Sequence, residues 1–283
     1  MTKGTERWDV VIDPTRPWWR LDLKEIWRYR DLLVLLVRRD LLAVYKQTDL
    51  GPIWQVLQPV LTALMFAAIH EMMGRMAPPG IPPLLFYLSG LVPWTFFANI
   101  INRTSQTLVW NQALMTKVYF PRLVAPMATT ASTMVSFLIQ LATFFLFAVG
   151  YRIFSDYAWT VHANLAMVPV LVLLLAVLGF GTGLLVAALT TKFRDFTFLV
   201  GFAVQLLMYM SPVIFPLSRA VPGSTTRLVI EMNPMTPVIE GFRSALVGSP
   251  MEWGTLYYTL VVATIMLVVG LSYFQKVERS FAD

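Results

Sequence analysis

The sequence predicts an all-α integral membrane protein with six transmembrane helices, an amino-terminal amphipathic interface helix, and a re-entrant segment between helices five and six. Three observations predict it. Of the 283 residues 57% are apolar and 13% charged, with a mean hydropathy of +0.64, whereas soluble domains carry about 25% charged residues. The apolar residues gather into six stretches, each near the roughly 20 residues that cross a bilayer as a helix. These stretches are continuous, so the alternating strands of a membrane β-barrel are excluded.

The spans run approximately over 53–73, 84–102, 123–150, 163–190, 196–217 and 254–274. Basic residues in the connections set the orientation, because cytoplasmic segments retain Lys and Arg. With the amino terminus inside, inner segments hold 17 of the 22 basic residues and outer segments hold 5. Both termini are therefore expected in the cytoplasm. Residues 1–50 form a cytoplasmic amino-terminal segment, and residues 51–283 the transmembrane domain.

Within the first segment, residues 21–46 combine the run Leu32–Val37 with a polar stripe at Lys24, Arg28, Asp31 and Arg38. That spacing puts the stripe on one helical face. Such a helix lies along a membrane surface, with Trp18, Trp19 and Trp27 at headgroup level. The first 20 residues are polar, so no cleavable leader is expected. The connection 218–253 is too long for an ordinary loop. Its short apolar stretches, broken by Pro222, Pro234, Pro237 and Pro250, predict short helices dipping back toward the membrane. Irregular backbone at that depth requires cover by protein or a water-filled cavity.

Searches for chemistry exclude several functions. There are no cysteines, hence no disulfides, thiolate metal sites or cysteine nucleophiles. No G-x-x-x-x-G-K-[ST] loop occurs, so ATP hydrolysis by this chain alone is not expected. Gly179, Gly181 and Gly183 sit inside a span, where Gly179 and Gly183 read as a small face for close helix packing. His70 and His162, even with Glu71 nearby, read as interfacial residues, and no metal site is expected. The net charge of +6 offers no nucleic-acid face: residues 1–50 hold 10 of the 22 basic and 8 of the 16 acidic residues, and no dense basic face occurs outside that segment. No carboxylate beyond residue 50 sits centrally in a span, which argues against intramembrane catalysis and ion-coupled transport.

Several strings converge on one family. Residues Tyr45 to Gln55 read YKQTDLGPIWQ, with Pro59 following, and Gly90 to Phe97 read GLVPWTFF. Asn111 and the run Lys117-Val118-Tyr119-Phe120-Pro121-Arg122 come next. Phe193-Arg194-Asp195 opens span five, which ends Met210-Ser211-Pro212-Val213-Ile214-Phe215-Pro216. Asn233-Pro234-Met235-Thr236-Pro237 then leads to Glu240, Phe242-Arg243 and Gly248, and the tail carries Phe274, Lys276, Glu278, Arg279, Phe281, Ala282 and Asp283. In this order, from about residue 20 to the end, they resemble the permease subunit of the ABC-2 class that exports polysaccharides such as O-antigen, capsule or teichoic acid. The O-antigen type is most similar.

The resemblance implies a homodimer in the bacterial inner membrane, carrying two copies of a separate cytoplasmic ABC ATPase subunit. ATP and Mg would be bound by that partner, with no cofactor in this chain. The cargo would be a polysaccharide linked to undecaprenyl diphosphate, moved outward. Residues 111–121 resemble a coupling helix, with Lys117, Tyr119, Phe120 and Arg122 meeting the ATPase, Tyr119 and Phe120 as exposed apolar knobs. Arg194 and Asp195 are a second candidate contact, although an Asp near a helix amino terminus is also explained by the helix dipole. Arg38, Arg39 and Lys46 are candidates for the lipid diphosphate; general attraction to anionic headgroups is the alternative.

A glycan conduit calls for aromatic rings and weak polar groups, and Trp94, Phe96, Phe97, Trp110, Tyr209 and Phe215 are the candidates, with core packing or lipid contact as alternatives. Pro212 and Pro216 should break or bend span five near its outer end. Ser211 to Pro216, with Asn233, Pro234, Glu240 and Arg243 of the re-entrant segment, would then form an outer gate. Two rival readings remain open: an ABC-2 exporter of a drug or lipid, and a membrane assembly subunit with no pathway.

Overall fold

The computed structural model describes residues 23–46, 53–70, 72, 74, 77–115, 117, 120–157, 159–193 and 195–279. Among them every regular element is helical and none is a strand. In chain order the helices are α1 (Leu23–Arg28), α2 (Arg30–Lys46), α3 (Ile53–Ile69), α4 (Pro83–Ser105), α5 (Thr107–Trp110), α6 (Gln112–Met115), α7 (Val124–Phe154), α8 (Val168–Lys192), α9 (Phe196–Tyr209), α10 (Thr225–Glu231), α11 (Met235–Val247) and α12 (Leu256–Arg279).

Four of these are long and apolar enough to cross a bilayer: α4, α7, α8 with the 3-10 turn before it, and α12. The other two expected spans are shorter helices, α3 and α9, of 17 and 14 residues. At about 1.5 Å per residue they measure about 26 and 21 Å. Span five was expected to reach residue 217, but α9 stops at Tyr209. Pro212 disfavours helical backbone at Ser211 and cannot donate to Met208. Instead the Ser211 N–H bonds the Met208 carbonyl at 3.1 Å, and Met210–Pro216 continues as turns.

The centre of the fold is α4. Pro83 opens it where a missing N–H costs nothing, and it is buried along most of its length. It packs against α3, α7, α8 and α11. Small residues bring its neighbours close. A Cβ on Gly179 would meet the Ile100 side chain, and one on Gly183 would meet Thr104. The small face read from the sequence thus seats α8 on α4. Gly181, between them, faces α12: a Cβ there would strike the backbone of Met266 and Leu267, and one on Gly270 would strike the Gly181 carbonyl. Two helical faces of one glycine cluster therefore serve two different contacts.

The connection after α9 resolves into α10 and α11, as the proline-punctuated sequence predicts. Ser224 caps α10, accepting from the Arg227 N–H at 3.2 Å. In α11 every residue is buried except Glu240, which is intermediate. A helix enclosed on all sides is a core element despite its short length. It ends at Gly248 with φ of 75°, the left-handed cap that glycine adopts without a Cβ clash. The His162 ring lies against that glycine where a Cβ would stand.

Candidate functional site

The candidate residues collect at the two opposite ends of α4. At its first turns lies the α11 end, and at its last turn the α2 end.

The α11 end is organised around Arg243, which is fully buried on α11. Its Nη2 donates to the Val213 carbonyl at 2.7 Å. Its Nη1 donates to the Phe215 carbonyl at 3.2 Å and to Glu240 Oε1 at 2.9 Å. The guanidinium lies over the Phe86 ring of α4, 4.1 Å from its centroid, an attractive stacking for a desolvated cation. Arginine suits the position because its planar fork reaches several acceptors at once. The carbonyls it holds are those freed where α9 ends, so the charge satisfies backbone that the prolines leave without helical partners. Gly90 makes room for this: a Cβ there would stand 3.1 Å from the Val213 carbonyl and 3.2 Å from Arg243 Nη2.

Asn233 fastens the same segment from the other side. Its Nδ2 donates to Ser211 Oγ at 2.7 Å, and its Oδ1 accepts from the Met235 N–H at 3.0 Å. The Ser211 hydroxyl donates in turn to the Leu207 carbonyl at 2.7 Å. Thr259 of α12 donates to the Pro234 carbonyl at 2.9 Å. Ser211, Pro212, Pro216, Asn233, Glu240 and Arg243 are thus brought together, with Pro234 in the same turn. What the sequence did not reveal is Phe86 and Gly90. Gly90 stood within a quoted string, but only the fold shows its neighbour.

At the α2 end, the apolar face of α2 is covered by protein. Leu36 packs with Phe120, Val124, Ala125 and Ala128, flanked by Tyr29, Leu32, Leu33, Val37, Leu114 and Met115. Phe120 is 4% exposed, which corrects the expectation of an exposed knob: α2 supplies the apolar partner that the connection alone lacks. Lys117 is exposed and Arg122 half-buried. Tyr119 and Arg194 lie outside the described residues, and Asp195 is exposed before α9. Lys24, Arg28, Asp31 and Arg38 are all exposed, in line with the predicted stripe. Trp27 of α1 and Val34 and Leu35 of α2 are exposed as well, at 69%, 63% and 61%, apolar surface that none of the described residues covers.

Arg39 does not simply face outward. Its Nη2 donates to Asn111 Oδ1 at 2.8 Å and to Asp40 Oδ1 at 2.9 Å. Asn111 Nδ2 donates to the Thr107 carbonyl at 2.9 Å. This chain ties α2 to the corner made by α5 and α6. Asn111 is therefore a structural link between α2 and the 111–121 connection. Lys46 belongs to the last turn of α2, and its side chain is outside the described set.

The six candidate aromatics are not gathered into one lining. Trp94, Phe96 and Phe97 are buried on α4 at 4%, 1% and 3% exposure. Phe96 packs on Phe137 with centroids 4.7 Å apart, and Phe137 meets Phe242 of α11 at 6.1 Å. Trp110 is exposed at the α2 end, while Tyr209 is exposed and Phe215 half-buried at the α11 end. Of the histidines, His70 Nδ1 accepts from the Ala77 N–H at 3.3 Å and lies 3.3 Å from the Tyr87 hydroxyl. These contacts hold the turn after α3 against α4.

A chain with four helices long and apolar enough to cross a bilayer, a buried helical insert before the last of them and a helix tied to the 111–121 connection reads as a multi-pass membrane protein. The family model for ABC-2 type transporters matches residues 31–247, and the chain belongs to that family. It is 28% identical over 258 residues to the O-antigen export system permease protein RfbA of Klebsiella pneumoniae, covering 89% of this chain and 94% of the relative. It is 25% identical to RfbA of Myxococcus xanthus, covering 92% and 98%. It is also 25% identical to the polysialic acid transport protein KpsM of Escherichia coli, covering 87% and 93%.

Proposed function

We propose that this chain is the membrane-spanning permease subunit of an ATP-driven exporter that carries a lipid-linked polysaccharide, O-antigen-like, from the cytoplasm across the bacterial inner membrane. The observation that carries this reading is the pair of named relatives. Permeases for two different glycans, O-antigen and polysialic acid, align with nearly the full length of this chain and of themselves. The sequence has no phosphate-binding loop, so the reading requires a separate ATPase subunit, two copies per permease dimer, binding ATP and Mg.

In this reading α3 and α9 are the first and fifth of six spans. Their exposed apolar faces, with Trp54, Leu61 and Met65 on one and Phe198, Phe202 and Leu206 on the other, suit burial against lipid or a second copy. The α2 end faces the cytoplasm with both termini. There α2 lies at the headgroups, Arg38 and Lys46 meet the lipid diphosphate, and the 111–121 connection docks on the ATPase through Lys117, Tyr119 and Arg122. Arg194 and Asp195 form a second contact beside it. Phe120, held under α2, transmits movement of the connection to that helix.

The α11 end faces outward, with α10 and α11 re-entrant and the Ser211–Pro216 segment as an outer gate. The glycan passes between subunits, so Tyr209 and Phe215 are better placed to touch it than the three aromatics packed on α4. The test is to deplete the protein in its host and extract lipid-linked glycan from the inner membrane. Accumulation of undecaprenyl-linked polysaccharide, with its loss from the cell surface, is expected. Normal surface glycan without inner accumulation rejects polysaccharide as the cargo.

A further inference from the structure

Between α4, α8, α9, α11 and α12 lies a cavity of about 450 Å³ to which the transport reading assigns no occupant, although Asn233 and Pro234 of the gate segment help to line it. Its inner wall is made by Phe97 and Leu178, and its rim by Met210, Val229 and Met232, which are exposed. Only two of its lining residues carry side-chain polar groups, Thr182 and Asn233, and both are engaged within the protein. The Thr182 hydroxyl donates to the Leu178 carbonyl at 2.8 Å. Asn233 is occupied by Ser211 and the Met235 N–H. A buried water needs two to four polar partners, and an apolar cavity of about 150 Å³ stays dry and takes benzene. This cavity is three times that size, its two polar side chains are already engaged, and it is of ordinary ligand-site volume.

Its surroundings identify the guest. Val262 and Met266 of α12 form part of the wall, while Val261, Ile265, Val268 and Val269 on the same helix are exposed. On a helix long and apolar enough to cross a bilayer, those exposed side chains meet lipid hydrocarbon, and the cavity wall is continuous with that surface. Four lining residues are methionines, Met210, Met232, Met235 and Met266. Their unbranched, polarisable side chains accommodate a guest of variable conformation. We infer that this cavity holds an acyl chain of a membrane phospholipid, wedged between α9 and α12 beneath the turn that Arg243 and Asn233 hold. The site is independent of the exported cargo.

The experiment uses the full chain in liposomes containing phosphatidylethanolamine with a diazirine in its acyl chain. After illumination, adducts are mapped by mass spectrometry, with exposed Ile265 and Val268 as the control for bulk lipid. Adducts on Met235 and Phe97 are expected, and Leu178→Trp, which fills the inner wall, should lower them by roughly tenfold relative to the control, one decade of affinity. Added phosphatidylethanolamine should also raise the Tm of the delipidated chain by at least roughly 2 °C, a stabilisation that Leu178→Trp abolishes.

Labelling confined to Ile265 and Val268 overturns the proposal. So does labelling of Met235 that undecaprenyl phosphate displaces and phosphatidylethanolamine does not. Cross-links from a residue introduced at Met266 to a second copy of the chain overturn it too. Should Leu178→Trp fail to fold, the adduct map on the unaltered chain still decides.

Discussion

The two ends of α4 use arginine in opposite ways. Arg243 at the α11 end has no exposed surface and reaches two backbone carbonyls, a carboxylate and an aromatic ring. Arg39 at the α2 end leaves half its side chain exposed, and shares itself between a neighbouring Asp and one amide. The first organises a core; the second ties down a surface. Around Arg243 the chain is closed by backbone partners, and the elements there are fixed relative to one another. Around Arg39 the elements are four-residue helices and exposed apolar groups, including Trp110, Val109 and Trp27. That is the end with surface left for a lipid interface or a partner.

The largest effect should come from breaking the closed end. Arg243→Ala leaves Glu240 without its cation and orphans the Val213 and Phe215 carbonyls. Losing one partner of a buried pair costs about 3–5 kcal/mol, to be read as a fall in thermal stability of the solubilised protein. Arg243→Lys keeps the charge but not the fork, and should recover only part of that loss.

Next is the crossing of α8 and α12. A side chain at Gly270 meets backbone, which cannot move aside as a side chain does. Gly270→Val should therefore cost at least about 1–3 kcal/mol, the usual range for overpacking, while Gly254→Ala, with open space around it, should leave the melting temperature unchanged. The contrast separates close packing from glycine content.

Gly248→Ala should be milder, about 1–2 kcal/mol for a left-handed residue that gains a Cβ, with the His162 ring displaced. The smallest stability effect belongs to the open end. Arg39→Ala should change stability by less than about 1 kcal/mol, since the pair with Asp40 is exposed to solvent. Export is expected to fall nonetheless, because α2 is no longer tied to Asn111. Equal loss of stability in Arg39→Ala and Arg243→Ala would erase the distinction between the two ends.

The same contrast explains what the sequence made legible. Long apolar runs specify α4, α7, α8 and α12 because a span must satisfy its own backbone, and composition over about 20 residues records that demand. Proline positions correctly placed the break after α9 and the short helices that follow. The run of apolar residues in 196–217 did not reveal where the helix ends, since hydropathy is blind to whether backbone is helical. Residues 21–46 read as one amphipathic helix, yet α1 and α2 are separate, and Tyr29 at the junction packs into the α2–α7 cluster. Phe120 read as exposed because its cover, Leu36, lies far away in the chain. The same holds for Arg243: its role depends on Val213, Phe215 and Phe86, residues brought near only by folding.

The account stands on the α2 end being cytoplasmic and the α11 end facing out. The absence of cysteine makes this directly measurable with single introduced thiols at two exposed positions, Gln112→Cys beside α5 and Ser218→Cys after α9. Intact spheroplasts are treated with a membrane-impermeant maleimide, then lysed and treated again. The account predicts that the thiol at 218 reacts before lysis and the thiol at 112 only afterwards. Reaction of the thiol at 112 in intact spheroplasts, with that at 218 protected, contradicts it and removes the ATPase from the end where it is placed.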